Sequence, residues 1–158
     1  MTGLILRLNS QTGEGSLVNA AHEPPFIFRA QDDGSYQVEH LQLTVSRRVG
    51  DGIDANLSEA KFSLKPNDTL LLFTDGLFSP INESKKLTER RLIKFLSARA
   101  EFTVSAKSFL RSTLEIFNQY REDLPLPDDV SVVSVRRKGP LKNMILENDS
   151  GQFKIVSK

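Results

Sequence analysis

One short segment constrains this chain more than any other. Leu70-Leu71-Leu72-Phe73 is apolar at four consecutive positions, between the turn formers Pro66-Asn67-Asp68 and the pair Asp75-Gly76. A strand with one face in water alternates polar and apolar residues, so an unbroken run predicts a central strand covered on both faces. Just upstream, Lys61-Phe62-Ser63-Leu64 does alternate and predicts a half-buried strand. The chain is therefore expected to fold in layers around residues 69–74.

The segments before that strand are punctuated like a β-meander. Leu4–Leu8 reads as a strand, Asn9 to Gly15 is dense in turn formers, and Ser16–Ala21 is placed to return beside it. Phe26–Arg29 follows Pro24-Pro25, and Gln31-Asp32-Asp33-Gly34 turns the chain into Tyr36–Val38. Residues 49–57 are rich in Gly and Asp and read as an exposed loop. After the central strand the period changes. Leu92, Phe95 and Leu96 predict a helix from Thr88 to about Arg99, with Thr88 as N-cap. A second helix over 104–120 would place Ala106, Phe109, Leu110, Leu114 and Phe117 on one stripe, with Thr103 as cap. Leu124-Pro125-Leu126-Pro127 ends it, and Val130–Val135 is a β-branched strand entered through Asp128-Asp129. Met144–Leu146 and Phe153–Val156 are expected to add a short terminal hairpin around Asn148-Asp149-Ser150-Gly151. Strands, then two helices, then strands predict an α+β fold of antiparallel sheet layers with a helical pair on one face.

Composition removes several function classes. The 158 residues suit one domain, and 21 Lys+Arg against 20 Asp+Glu leave a net charge of +1, which argues against a nucleic-acid platform. No apolar run approaches the ~20 residues of a membrane span, and residues 1–30 show no secretory signal pattern. With no cysteine there is no disulfide framework, thiolate zinc site or cysteine nucleophile, which permits a reducing, cytoplasmic location.

Two acidic positions stand apart. Asp75 ends the most apolar strand and is followed at once by Gly76, while Asp128 and Asp129 sit at the mouth of the next strong strand. A carboxylate at the end of a buried strand is costly unless it is paired or binds a cation. Adjacent strands would bring both groups to one rim, where hard oxygen ligands suit Mg²⁺ or Mn²⁺. The alternative is an ordinary Asp-Gly turn and an acid that only starts a strand. Other motifs read as structure. Thr12-Gly13-Glu14-Gly15-Ser16 lacks the Gly-Lys-Ser/Thr of a phosphate loop and is expected to be a hairpin turn. His22 is expected to be a turn residue and His40 a strand-surface residue. Arg47-Arg48 and Arg136-Arg137-Lys138 read as solvated strand ends, with phosphorylated partners as the alternative.

Three segments taken in order carry a resemblance: Asn19-Ala20-Ala21-His22-Glu23-Pro24-Pro25, then Pro66 to Leu77 with Thr74-Asp75-Gly76, then Asp128-Asp129-Val130-Ser131. Together they resemble the metal-dependent protein phosphatase superfamily (PPM-type, phosphatase 2C-like) in its bacterial SpoIIE/RsbU-like branch. That branch reads N-A-G-H-x-P-P, G-D-x-L-L-L-Y-T-D-G-L and D-D-(I/M/V)-T. The resemblance spans residues 1–137, with 138–158 a terminal hairpin or extension. It implies the later part of an α-β-β-α sandwich. It also implies phosphoserine or phosphothreonine hydrolysis by water activated between two Mn²⁺ or Mg²⁺ ions, with Asp75 and Asp128 as metal ligands. Asp129 and Gly76 take accessory positions, and no side-chain nucleophile is required.

The departures are as informative as the matches. Ala21 and Asn67 stand where the branch has glycine. The D-x-x-G motif, whose aspartate bridges both metals, occurs nowhere in this sequence. The resemblance therefore implies a phosphatase domain lacking its N-terminal part and weak or inactive alone. A phosphorylated regulatory protein is the implied partner, with a homodimer or a complementing chain to fill the gap. The alternative is a non-catalytic, phosphatase-like module that binds a signalling partner.

Overall fold

The computed structural model describes residues 1–41, 43, 46–51, 57–79, 87–99, 104–122, 124–126 and 128–139, and the backbone of 145–147 and 153–155. Strands β1 (Gly3–Leu8), β2 (Glu14–Ala20) and β5 (Glu59–Ser63) form one antiparallel sheet in the order β1-β2-β5. Strands β3 (Phe26–Ala30), β4 (Tyr36–His40), β6 (Thr69–Phe73) and β7 (Val132–Arg136) form a second in the order β4-β3-β6-β7. Helices α1 (Glu89–Ala98) and α2 (Ala106–Arg121) complete the fold, and β8 (Ile145–Glu147) pairs with β9 (Phe153–Ile155) as a separate hairpin. No helix among the described residues is long and apolar enough to cross a membrane.

The second sheet is the middle layer, and side-chain alternation shows why. Phe26, Phe28, Leu71 and Phe73 point to one side and pack with Leu92, Leu96, Phe109, Ile116 and Phe117 of the helices. Ile27 and Leu70 point to the other side and pack with Leu17 and Phe62 of the first sheet and with Leu64. Successive residues of β3 and β6 thus serve two different cores, as an unbroken apolar run requires. Each fully buried Leu or Phe contributes about 1.5–3 kcal/mol, so this double use makes β3 and β6 the strands on which both cores depend.

Local structure follows the sequence closely with some corrections. Thr88 caps α1, its side chain accepting a hydrogen bond from the Arg91 N–H. The cap of α2 is Ser105, not Thr103, which lies outside the described residues. Ser105 and Ser108 form a reciprocal capping box, satisfying two backbone donors at once. The buried face of α2 is Phe109, Ser112, Thr113, Ile116 and Phe117, while Leu114 is 38% exposed. The predicted stripe is therefore rotated. Burial of Thr113 is affordable because its hydroxyl donates to the Phe109 carbonyl (3.0 Å).

The Gly-rich segment before β2 is a hairpin turn, as expected. Asn9 accepts from the Gln11 and Thr12 N–H groups, and Gly13 sits at φ +77° against the Leu64 carbonyl. In the basic cluster at the end of β7, Lys138 is exposed, but Arg136 and Arg137 are half-buried and hydrogen-bonded. Arg136 donates to the Tyr36 hydroxyl and to Thr69 and ties strands within the second sheet, whereas Arg137 donates to the Leu64 and Gln11 carbonyls and links that sheet to the first. His40 has a partner that the sequence did not indicate: Nε2 lies 2.9 Å from Glu89 Oε1 at the start of α1. The predicted terminal turn at 148–151 lies outside the described residues.

Candidate metal centre

The candidate site lies where β6 ends. Beyond Phe73 the chain turns through a single 3₁₀ turn, Asp75–Leu77. The Leu77 N–H donates to the Thr74 carbonyl (3.1 Å) and the Phe78 N–H to the Asp75 carbonyl (2.9 Å). Leu77 is fully buried and anchors the turn in the helix-side core, which leaves Asp75 exposed at the rim. The expected desolvation cost at Asp75 therefore does not arise, although its strand is buried.

Thr74 joins this turn to the second acidic motif. Its N–H donates to the Ser131 carbonyl (3.0 Å), and its hydroxyl donates to the Asp129 carbonyl (3.0 Å). The same hydroxyl accepts from the Ser131 N–H (2.9 Å), so one side chain ties down both backbone groups. Gly76 completes the junction. A Cβ there would overlap the Asp129 carbonyl and touch Val130, so only glycine permits the approach. Asp128 braces its own turn, its Oδ1 accepting from the Asp129 N–H (2.7 Å).

The fold thus brings Asp75-Gly76 together with Asp128-Asp129, the arrangement drawn from the sequence. All three carboxylates are exposed, and those of Asp75 and Asp129 make no hydrogen bond within the described residues. These hard oxygen donors suit Mg²⁺ or Mn²⁺. Their number does not suit a cation pair: among the described residues no group of three or more His, Cys, Asp or Glu side chains is placed to hold a metal ion.

The third motif borders the same end of the sandwich through the connection into β3. The Asn19 side chain closes the turn, accepting from the His22 N–H (2.8 Å) and donating to the His22 carbonyl (2.9 Å). Ala21 takes φ +51° and Asn67 φ +72°, both in the left-handed region that favours glycine. The two departures from the glycine pattern therefore keep the turn conformation at some cost in strain. The position of Thr74 in the T-D-G segment does not by itself reveal this bridging role. Its signal is a hydroxyl immediately before the aspartate at the end of a central strand.

Relatives bear on this geometry. No curated protein sequence matches the chain. Among solved structures it resembles the RsbU and RsbW domains of Rv1364c from Mycobacterium tuberculosis, with 24% identity and a TM-score of 0.63, over 87% of this chain and 36% of that one. It resembles the SiaA-PP2C domain of Pseudomonas aeruginosa at 19% identity and a TM-score of 0.66, over 85% of this chain and 51% of the other. For the phosphatase domain of the cell fate determinant SpoIIE from Bacillus subtilis the values are 18% and 0.57, over 87% and 56%. These likenesses establish the fold, and the chain spans from about a third to just over half of each structure. The sequence model of SpoIIE, stage II sporulation protein E, matches residues 1–138. With its motifs joined at one rim of a two-sheet, two-helix fold, the chain belongs to the SpoIIE family.

Proposed function

We propose that these residues form the later part of a metal-dependent phosphoserine/phosphothreonine protein phosphatase domain acting in bacterial signalling in the cytoplasm. Asp75 and Asp128 are its cation ligands, with Asp129 and Gly76 accessory. The observation that supports this most is the Thr74 bridge, which holds the two acidic motifs on one rim although they lie 55 residues apart. Bound Mn²⁺ or Mg²⁺ would supply an acidified water and neutralise charge on the phosphoryl oxygens. The chain's own residues build the support. Thr74 fixes the Asp129 backbone, Gly76 permits its approach, and the 3₁₀ turn presents Asp75 to solvent.

Two ligating carboxylates fit one weakly held cation and not a pair. In this reading the bridging carboxylate, whose D-x-x-G motif the sequence lacks, is supplied by a further segment or a complementing chain, and these residues alone are weak or inactive. The substrate is a phosphorylated regulatory protein. A non-catalytic module that binds such a partner is the second reading, supported by the lack of a three-residue ligand group among the described residues.

Mn²⁺ titration by calorimetry, together with p-nitrophenyl phosphate turnover, tests the proposal. Weak binding lost in Asp75→Asn and Asp128→Asn, with turnover near background, is the expected outcome. Strong Mn²⁺-dependent turnover lost in Asp75→Asn would overturn the incompleteness. No detectable Mn²⁺ binding would favour the non-catalytic reading.

A further inference from the structure

Charge is distributed unevenly between the helices and the rest of the chain. Helices α1 and α2 carry Arg90, Arg91, Lys94, Lys107, Arg111 and Arg121 against Glu89 and Glu115, six cations to two anions. Of the chain's 21 Lys+Arg and 20 Asp+Glu, that leaves 15 against 18 elsewhere, a net of −3 beside +4 on the helices. Both helical acids are already engaged. Glu89 Oε1 lies 2.9 Å from His40 Nε2 on β4, and Glu115, one turn from Arg111, accepts from Arg99 instead (2.9 Å).

Four of the cations face outward in a regular pattern. Leu92 and Leu96 turn α1 onto the sheet, and Phe109, Ile116 and Phe117 do the same for α2. At a period of 3.6, Arg90 and Lys94 fall on the opposite side of α1, and Lys107 and Arg111 on the opposite side of α2. All four are exposed, and none makes a side-chain hydrogen bond or ion pair with a described residue. Each pair is spaced four residues apart, so like charges sit one turn from each other and repel. Arg91 over the Tyr120 ring (5.3 Å) and Arg99 on Glu115 clamp the helices together, which makes their outward faces one surface. Leu114 is the large hydrophobic residue exposed within it.

We propose that this surface docks an acidic helix of a protein partner. Cations one turn apart, at roughly 5.4 Å of rise, match carboxylates spaced four residues apart on another helix. Seating such a helix removes the repulsion within both basic pairs, and Leu114 gives the contact an apolar point. A lipid surface would call for a broad apolar and aromatic face beside the cations, and none of the aromatic rings on these helices is exposed. The acidic excess elsewhere on the chain opposes a polyanion as long as a nucleic acid. The surface uses neither Asp75 nor Asp128, so it serves equally a partner that is hydrolysed at the rim and one that is only bound.

Fluorescence anisotropy with the full chain tests the proposal. The probe is a labelled, alanine-based helical peptide with glutamate at every fourth position, beside its glutamine counterpart. The glutamate peptide should bind in ~20 mM salt and lose about tenfold or more in affinity at ~0.5 M, while the glutamine peptide should not bind. Arg90→Glu combined with Lys107→Glu neutralises the surface and should weaken binding by about tenfold or more. Each change also puts Glu one turn before a cation near a helix N-terminus, so this variant should melt no lower than the wild type. Arg7→Glu with Lys61→Glu, on the first sheet, should leave binding unchanged. Absence of glutamate-peptide binding at low salt would overturn the proposal, as would binding that the helix variant leaves intact. Tighter binding to phosphatidylserine vesicles or duplex DNA at the same salt would assign the surface to another occupant and overturn it too.

Discussion

Strand β6 has an aspartate just beyond each end, and the fold treats the two in opposite ways. Asp68, before Thr69, is 1% exposed. Its Oδ1 accepts from the Ala30 N–H (3.0 Å), and its Oδ2 from the Lys65 N–H (2.8 Å) and Arg29 Nη1 (2.8 Å). Arg29 in turn donates to Glu39 (2.7 Å) and to the Ser63 carbonyl. Burial works against the Arg29 charge, but the hydrogen bonds and charges of Asp68 and Glu39 outweigh it and hold the guanidinium above its ordinary pKa. Asp75, at the other end, is exposed with no side-chain hydrogen bond among the described residues. One carboxylate spends its lone pairs on joining β3, β4 and β6. The other makes no hydrogen bond with its carboxylate among the described residues, as the proposed cation role requires.

This contrast is open to direct tests, and the largest effect belongs to the buried end. Asp68→Ala strips Arg29 of a buried partner and should cost about 3–5 kcal/mol in urea denaturation. A loss below about 1 kcal/mol would show that water replaces the carboxylate there and that the two ends differ less than their geometry says. Gly76→Ala comes next. Its Cβ overlaps the Asp129 carbonyl, so a loss of about 1–3 kcal/mol is expected, along with weaker Mn²⁺ binding as the two motifs move apart. Thr74→Val keeps the shape but removes the hydroxyl shared by Asp129 and Ser131. It should cost about 1–2 kcal/mol and lower Mn²⁺ affinity without touching either ligand. Ala21→Gly should stabilise by about 0.5–1 kcal/mol, because relief of left-handed strain exceeds the added chain entropy. Asp75→Asn has the smallest effect on stability, within about 0.5 kcal/mol, while calorimetry records loss of the cation. Marked destabilisation by that variant would mean that Asp75 is structural after all.

Much of the architecture was legible in the pattern of side chains. The unbroken run in β6 identified the middle strand, Thr88 marked the start of α1, and the T-D-G and D-D segments pointed to one rim. Elsewhere, local signals competed or were missing. Thr103 and Ser105 are both acceptable caps, and the capping box with Ser108 decided between them. In α2, Leu114 has the better hydropathy for the core, yet Thr113 is buried because its hydroxyl finds the Phe109 carbonyl within the helix. Arg136 and Arg137 carry charges that sequence reading sends to solvent. The sheets instead use their long, multiply donating side chains to bridge strands.

By itself, then, the sequence determined the order of strands and helices, the covered strand and the residue types at the rim. These depend on periodicity and on neighbours a few positions apart. Tertiary structure alone decided which aspartate is buried, since Asp68 meets Arg29 across 39 residues. It alone decided that Thr74 meets Asp129 across 55. Pairing partners and desolvation are properties of distance in space, and a chain encodes them only through the fold it completes.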